Sequence, residues 1–373
     1  MEKGCRILKL VLSVLIMISF LSACKSDNSI TATIHKDAKF DCADLDLKEE
    51  DFTKAGFEFG DSLNIEFSNG EKYEDVPYYN GYYVKTGRTV VVSYPKNDYV
   101  LIANNNSDLW SLIGLKDGDT VKITLASKGK YLATQNALGH SYETDRSKYD
   151  SDEEFANFRS LKGGSLKDDF LYRGASPVDN SRGRAIYVDK LLEQNNIQTI
   201  IDLADSDNDM QSYLSDSTFS SNYAKSLYEN NKDILLSMSS DISNINYQHS
   251  FADGLRFLME NDGPAYIHCM EGKDRTGFVC FIIEALMGAS YDELCEDYVE
   301  TYKNYFGITK ENDLDKYNAI VDLYFNTFVE HITGREVDDE TKKLDYSGYA
   351  KTYLLNCDVS EEEIENLVSF LSK

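Results

Sequence analysis

The sequence predicts a small, mainly-β domain followed by a larger α/β domain with a parallel-sheet core flanked by helices. Three observations carry this reading. Residues 52–142 hold short alternating apolar runs separated by turn signals. Beyond residue 155, short apolar strands alternate with longer helical patterns, the signature of a layered α/β fold. One of those strands, Ala265-Tyr266-Ile267-His268, feeds a Gly-containing loop into a segment that is apolar on nearly every side, as a buried helix is.

The first residues stand apart from both domains. Lys3, Arg6 and Lys9 form a positive start, and residues 7–20 are apolar except for Lys9, Ser13 and Ser19. Small residues follow in Leu21-Ser22-Ala23-Cys24, which marks a secretory signal. These four residues also resemble the lipobox of bacterial lipoproteins. That resemblance implies a diacylglycerol on Cys24, which becomes the mature N-terminus. The expected location is the extracytoplasmic face of the cell membrane, held by a lipid anchor. No other segment approaches the ~18 consecutive apolar residues of a spanning helix. The expected organisation is a signal peptide over 1–23, a polar tether over 24–50, a β-rich accessory domain over 51–145 and the α/β domain over 146–373.

Within the β-rich region, Leu63, Ile65 and Phe67 alternate and end at the turn Ser68-Asn69-Gly70. The run Thr89-Val90-Val91-Val92-Ser93-Tyr94 is β-branched. The turn Lys116-Asp117-Gly118-Asp119 precedes alternating Val121, Ile123 and Leu125. Short strands of this kind suggest a small barrel or sandwich. The tyrosines of Tyr78-Tyr79-Asn80-Gly81-Tyr82-Tyr83 read as core and edge packing.

A charged linker is expected over 145–154. Thr199-Ile200-Ile201-Asp202-Leu203 reads as a buried strand. Ser290 with Glu293, and Ser360 with Glu363, form capping-box patterns that open two helices. In the last helix Ile364, Leu367, Val368 and Leu371 share one face. Residues 208–243, rich in Ser and Asn, read as an inserted helical excursion or lid that interrupts the α/β pattern.

Composition narrows the function classes. The 373 residues carry a formal charge of −26, which argues against nucleic acid as a partner because phosphate backbones need a basic face. Five cysteines other than Cys5 and Cys24 remain, namely Cys42, Cys269, Cys280, Cys295 and Cys357. An odd, scattered set is no disulfide framework and leaves at least one free thiol. His35, His140, His249, His268 and His331 lie far apart and lack metal-ligand spacing, so no metal is expected.

The most informative stretch is His268-Cys269-Met270-Glu271-Gly272-Lys273-Asp274-Arg275-Thr276-Gly277. A loop that feeds a helix N-terminus aims consecutive backbone N–H groups into one cavity, which suits a phosphate dianion. The same helix end and Arg275 favour the thiolate form of Cys269, a nucleophile toward phosphorus. Arg275 can grip two phosphoryl oxygens through its planar fork. Gly272 lets the backbone turn with its N–H groups inward. The Thr276 hydroxyl can donate to the sulfur of Cys269, and His268 orients the loop from behind.

At these residues the chain resembles the cysteine-dependent protein tyrosine phosphatase superfamily. It looks most like bacterial members whose loop reads His-Cys-x-x-Gly-Lys-Asp-Arg-Thr-Gly. Asn157-Phe158-Arg159 and Leu171-Tyr172-Arg173-Gly174 match that family's opening segment, and Tyr353-Leu354 with the last helix its end. The resemblance covers residues 155–373 and implies a tyrosine-phosphatase-like core. It implies hydrolysis of phosphate monoesters through a phospho-cysteine, without a cofactor. Catalytic roles fall on Cys269, Arg275, Asp274 and Thr276. Phosphate or substrate contacts fall on Met270, Glu271, Gly272, Lys273 and Gly277, with Arg159 and Arg173 behind them. Asp274 is the first choice for the general acid, and Asp202, Asp205, Asp207 and Asp209 are the alternatives.

The substrate expectation is a phosphotyrosine protein, because Glu271 at the loop rim would repel a multiply phosphorylated headgroup. Lys273 pulls the other way, toward a phosphorylated small molecule or lipid. The rivals are a phosphoinositide or inositol-phosphate phosphatase on the same loop, and a catalytically silent surface-binding lipoprotein.

Overall fold

The computed structural model describes residues 28–373, except 38–41, 86, 95–98, 106, 140, 240 and 243. The signal peptide expected over 1–23 and the lipidation expected at Cys24 lie outside the described residues. The chain divides into two compact units, Met1–Tyr82 with Arg88–Gln135, and Tyr83–Gly87 with Asn136–Lys373.

The first unit is a closed barrel. Its strands are β1 (Ser29–Lys36), β2 (Ala43–Leu45), β3 (Ser62–Phe67), β4 (Lys72–Tyr79), β5 (Thr89–Val92), β6 (Val100–Asn104) and β7 (Thr120–Ser127). They run in the order β1-β2-β6-β5-β4-β3-β7. All described pairings are antiparallel except β4 with β5. Three helices accompany them: α1 (Glu49–Lys54), α2 (Leu109–Leu112) and α3 (Leu132–Leu138), the last of which contains the boundary at Gln135.

The alternation on β3 places Leu63, Ile65 and Phe67 in the core with Ile34, Ile102, Val121 and Ile123. Closing the sheet on itself leaves no edge to protect. Tyr78 and Tyr79 are buried, and the Tyr78 ring packs on Phe52 and Phe59 at centroid separations of 5.1 and 4.8 Å. The expected tether is corrected here: β1 and β2 lie inside residues 24–50, so the barrel starts at Ser29. The polar residues of β1 disguised it, because only Ala32 and Ile34 of its eight residues are buried.

The second unit carries a five-stranded sheet: β8 (Arg159–Ser160), β9 (Leu171–Gly174), β10 (Thr199–Asp202), β11 (Asp233–Leu235) and β12 (Ala265–His268), ordered β11-β10-β12-β9-β8. β9 to β12 pair in parallel, and β8 joins β9 antiparallel. The helices are α4 (Asp152–Ala156), α5 (Ala185–Gln194), α6 (Asp207–Ser215), α7 (Asn222–Glu229), α8 (Ile245–Met259), α9 (Asp274–Leu286), α10 (Tyr291–Phe306), α11 (Leu314–Ile320), α12 (Asn326–Thr333), α13 (Ser347–Asn356) and α14 (Glu361–Leu371). The whole is a mixed α/β architecture. Every residue of β9, β10 and β12 is buried, as parallel strands covered on both faces require. The helix expected to be apolar all round is α9, buried from Thr276 to Leu286.

Two boundaries differ from expectation. The supposed linker over 145–154 folds into a short turn at Arg146–Lys148 and into α4, whose first turn is capped by Ser151 accepting from the Glu154 N–H at 3.1 Å. Residues 208–243 are not an excursion outside the sheet, because β11 forms its edge beside β10. Both capping boxes form, at Ser290 with Glu293 and at Ser360 with Glu363. Each contributes about 1 kcal/mol. Among the described residues, no helix is long and apolar enough to cross a membrane.

Candidate active site

The parallel strands deliver their carboxyl ends in one row. In register, Asp202 of β10 faces His268 of β12, and His268 faces Gly174 of β9. Ligands of open α/β sheets bind beyond such ends. Cys269 follows β12 directly, is 4% exposed, and begins the loop that becomes α9 at Asp274.

The loop is held in a tight turn by the chain around it. Gly272 sits at φ +63, and a Cβ there would come within 2.1 Å of the Gly174 carbonyl oxygen. From outside, Arg173 Nη2 donates to the Gly272 carbonyl at 2.8 Å, and the Tyr305 hydroxyl donates to the Glu271 carbonyl at 2.7 Å. Asn157 Nδ2 lies 3.3 Å from both of those carbonyls. The Ser176 N–H donates to the Met270 carbonyl at 3.1 Å. All these supports take carbonyl groups. By contrast, no hydrogen bond between described residues engages the backbone N–H groups of 270–275. An unpaired row of donors at a helix N-terminus is a cradle for an anion.

Arg275 donates through Nη1 to the Met238 carbonyl at 3.0 Å, and its other nitrogens make no hydrogen bond to described residues. One end of the fork is therefore anchored and the rest is open to a phosphoryl group. Met270 exposes 44% of itself beside Cys269, an apolar surface at the loop. Gly277 lets α9 lie against α10, since a Cβ there would meet the Tyr298 ring at 2.9 Å.

His268 is fully buried, and burial pushes its pKa down to about 4. It is neutral at physiological pH and lies 3.2 Å through Nδ1 from the Cys269 carbonyl oxygen, which supports the loop without titrating. Thr276 is buried too, but its hydroxyl has no hydrogen-bond partner among the described residues. The expected bond to the Cys269 sulfur is thus not made in this state.

Several expected contacts are corrected by the geometry. Arg159 and Arg173 do not face the cavity. Arg173 is wholly buried, and both pair with Asp297, Arg159 Nε at 2.8 Å from Oδ1 and Arg173 Nη1 at Oδ2. Burial opposes the Asp297 charge, but the two arginines outweigh it and hold its pKa below the usual carboxylate range. This trio buttresses the loop from behind. Glu271 does not project as a free acid at the rim. Arg182 Nε lies 2.9 Å from Oε1 and Arg184 Nη1 lies 3.4 Å from Oε2, so its charge is more than balanced.

Lys273 is enclosed as well. Its ammonium lies 5.5 and 6.0 Å from the Tyr302 and Tyr324 ring centroids, and 3.8 Å from Asp274 Oδ2. Burial disfavours its charge, yet Asp274 together with Tyr142, Tyr324 and Tyr298 outweighs that and holds its pKa well above the ordinary lysine value.

The candidate acids separate cleanly. Asp274 stands at the first residue of α9 with 62% of its side chain exposed. Asp202 is fully buried, and its Oδ1 accepts from the Ala204 and Asp205 N–H groups at 2.8 and 3.1 Å. Asp209 closes the capping box of α6 with Ser206, and Asp207 opens the same helix. Asp205 accepts from the Tyr213 hydroxyl at 3.2 Å.

Burial, reinforced by the Asp202 charge, pushes Asp205 up to about 7, and burial pushes Asp202 up to about 6. The sign of the stability effect follows from these raised values. The folded state keeps protons that the unfolded chain has shed, so stability is greatest at acid pH and falls as pH rises from about 4 toward 7. Asp205→Asn should flatten that slope. Urea midpoints at pH 5 and pH 8 check it, and a slope unchanged by the substitution would refute the assignment.

The supports from Asn157, Asp297, Tyr305, Arg184 and the Met238 carbonyl are invisible in the motif. A backbone carbonyl has no sequence signal, and the other four act across 34 to 138 residues. All five expected thiols are buried, and none forms a disulfide with another described cysteine. In the barrel unit, Asp37, Cys42 and Asp44 each bring one ligand atom within 4.8 Å of the others, so these residues could hold a metal ion. Counting histidines could not find this group, because it contains none.

Set beside known proteins, a tyrosine phosphatase family model matches residues 153–372, and the chain belongs to the tyrosine phosphatase family. No curated protein matches the chain. Among solved structures, it is similar in part to an uncharacterized conserved protein from Thermotoga maritima. That match has 20% identity and a TM-score of 0.22 over 25% of this chain and 35% of that one. It thus spans about a third of that protein's length. Family membership supports phosphatase activity in general.

Proposed function

We propose that the second unit hydrolyses phosphotyrosine in proteins, in two steps through a phospho-Cys269 intermediate. The observation that carries this reading is the row of backbone N–H groups over 270–275 that no described residue engages, on the loop that carries both Cys269 and Arg275. The sulfur attacks phosphorus, the P–O bond to the tyrosine breaks, and the leaving oxygen takes a proton. Arg275 and the N–H groups stabilise the charge on the equatorial oxygens. Water then attacks the phospho-cysteine, releasing inorganic phosphate and the thiolate. No step calls on a cofactor.

Asp274 supplies the proton to the leaving oxygen, because it is the exposed carboxyl group on the loop itself. Asp274→Asn should therefore slow phenyl phosphate about a hundredfold, and p-nitrophenyl phosphate far less, since that leaving group needs little protonation. Initial rates on the two esters check this. An equal loss on both would remove Asp274 from the role of acid.

The lipid anchor at Cys24 is part of the same proposal and rests on Leu21-Ser22-Ala23-Cys24 alone. It places the phosphatase on the extracytoplasmic face of the membrane. The direct test of the whole reading is phosphate release by the purified chain from p-nitrophenyl phosphate and a phosphotyrosine peptide. No turnover of either would overturn it and leave the surface-binding reading.

A further inference from the structure

The expected substrate selectivity placed Glu271 and Lys273 in opposition at the rim of the loop, and neither side chain is free to act that way. Lys273 is shut among tyrosines beside Asp274. Arg275 belongs to the phosphoryl group itself. Glu271 is occupied by two guanidinium groups, one of which, Arg184, is only 2% exposed and spends its other nitrogens on the Phe155 and Glu143 carbonyls.

That leaves Arg182. Its side chain is 42% exposed, and only Nε is committed, to Glu271 Oε1 at 2.9 Å. Its Nη1 and Nη2 make no hydrogen bond to described residues. The guanidinium carbon also lies 4.7 Å from the Tyr142 ring centroid, so a carboxylate and an aromatic face hold the group in place. Two arginines on one carboxylate leave a net positive charge beside the catalytic loop, on a chain whose formal charge is −26.

From this we infer that Arg182 is a specificity-determining residue, whose free Nη1–Nη2 edge binds the carboxylate of an acidic side chain flanking the phosphotyrosine of a peptide substrate. The inference rests on the phosphotyrosine reading above. The chemistry fits, because a planar guanidinium edge matches a carboxylate with two parallel N–H···O bonds. The reach fits as well. Glu271 is two residues from Cys269, so their Cα atoms are at most about 7.6 Å apart. An extended peptide advances roughly 3.3 Å per residue, which puts the occupant one to three residues from the phosphotyrosine. A phosphoinositide headgroup fits less well: its further phosphates would need a second free cation, and Lys273 is enclosed.

The test compares kcat/KM on two phosphotyrosine peptides that differ only in Glu or Gln flanks, for the wild-type chain, Arg182→Gln and Arg182→Lys. The wild type should favour the acidic peptide about fivefold, the size of an exposed ion pair. Arg182→Gln should bring that ratio to near one, chiefly through KM, while Arg182→Lys keeps most of it. Because Arg182 also braces Glu271, both absolute values fall in the Gln variant. The ratio separates substrate contact from that structural role, which would lower both peptides alike. A wild-type ratio near one, or a ratio that survives Arg182→Gln, overturns the inference while leaving the phosphatase reading intact. So does a larger loss on a soluble phosphatidylinositol bisphosphate than on the acidic peptide. Failure of the wild type to hydrolyse any aryl phosphate overturns the phosphatase reading, and this inference with it.

Discussion

Cys269→Ser should reduce turnover of p-nitrophenyl phosphate about ten-thousandfold or more, while leaving binding of inorganic phosphate within a few-fold of the parent. A serine hydroxyl fits the space of the thiol but is not ionised near neutrality, so the attack on phosphorus is lost. The anion cradle, however, is built from backbone N–H groups over 270–275 and from Arg275, none of which passes through the sulfur. Chemistry and binding should therefore come apart in this one variant. Initial rates measure the first and isothermal titration with phosphate the second. Turnover near the parental level would show that the reaction does not pass through Cys269. Loss of phosphate binding along with turnover would instead show that the sulfur holds the loop in shape, a role argued against by its lack of hydrogen bonds to described residues.

How much of this site was legible in the sequence depends on distance along the chain. The loop could be read whole, because strand, nucleophile, glycine, arginine and helix are contiguous, and each has a local physical reason to be where it is. The capping boxes were legible for the same reason, since both partners lie within one turn. What surrounds the loop was not. Arg173 was grouped with the phosphate contacts, as a cation behind the loop, but its partner is Asp297, 124 residues later. Glu271 looked like a repulsive rim because Arg182 and Arg184 lie almost 90 residues earlier. In both cases the residue type was read correctly and its direction was not, since direction is fixed by tertiary partners. The barrel's first strands failed differently. β1 presents polar side chains along most of its length and β2 has only three residues, so hydrophobic period was too thin a signal in either.

The net charge also acquires a narrower meaning. A charge of −26 repels a phosphate monoester at long range, so binding must come from short-range donors in a desolvated loop. The shape of that loop is then what activity depends on, and Gly272 is where the shape is most exposed to change. Gly272→Ala should lower kcat/KM about a hundredfold and destabilise the fold by roughly 3 kcal/mol. Two costs combine. At φ +63 any side chain is strained, by about 1–2 kcal/mol. In addition, the new methyl would press on the Gly174 carbonyl carbon and oxygen at 2.3 and 2.1 Å, both backbone atoms of a buried strand that cannot swing aside. The loop must retreat, and its N–H groups lose their convergence on the phosphoryl oxygens. Gly288→Ala separates the two costs. It also has a positive φ, of +85, but a Cβ there meets nothing within 4 Å. That variant should pay only the strain and keep its turnover. Urea unfolding and initial rates on both variants make the comparison. Equal losses of activity would mean that backbone strain alone, rather than contact with Gly174, sets the geometry of the phosphate loop.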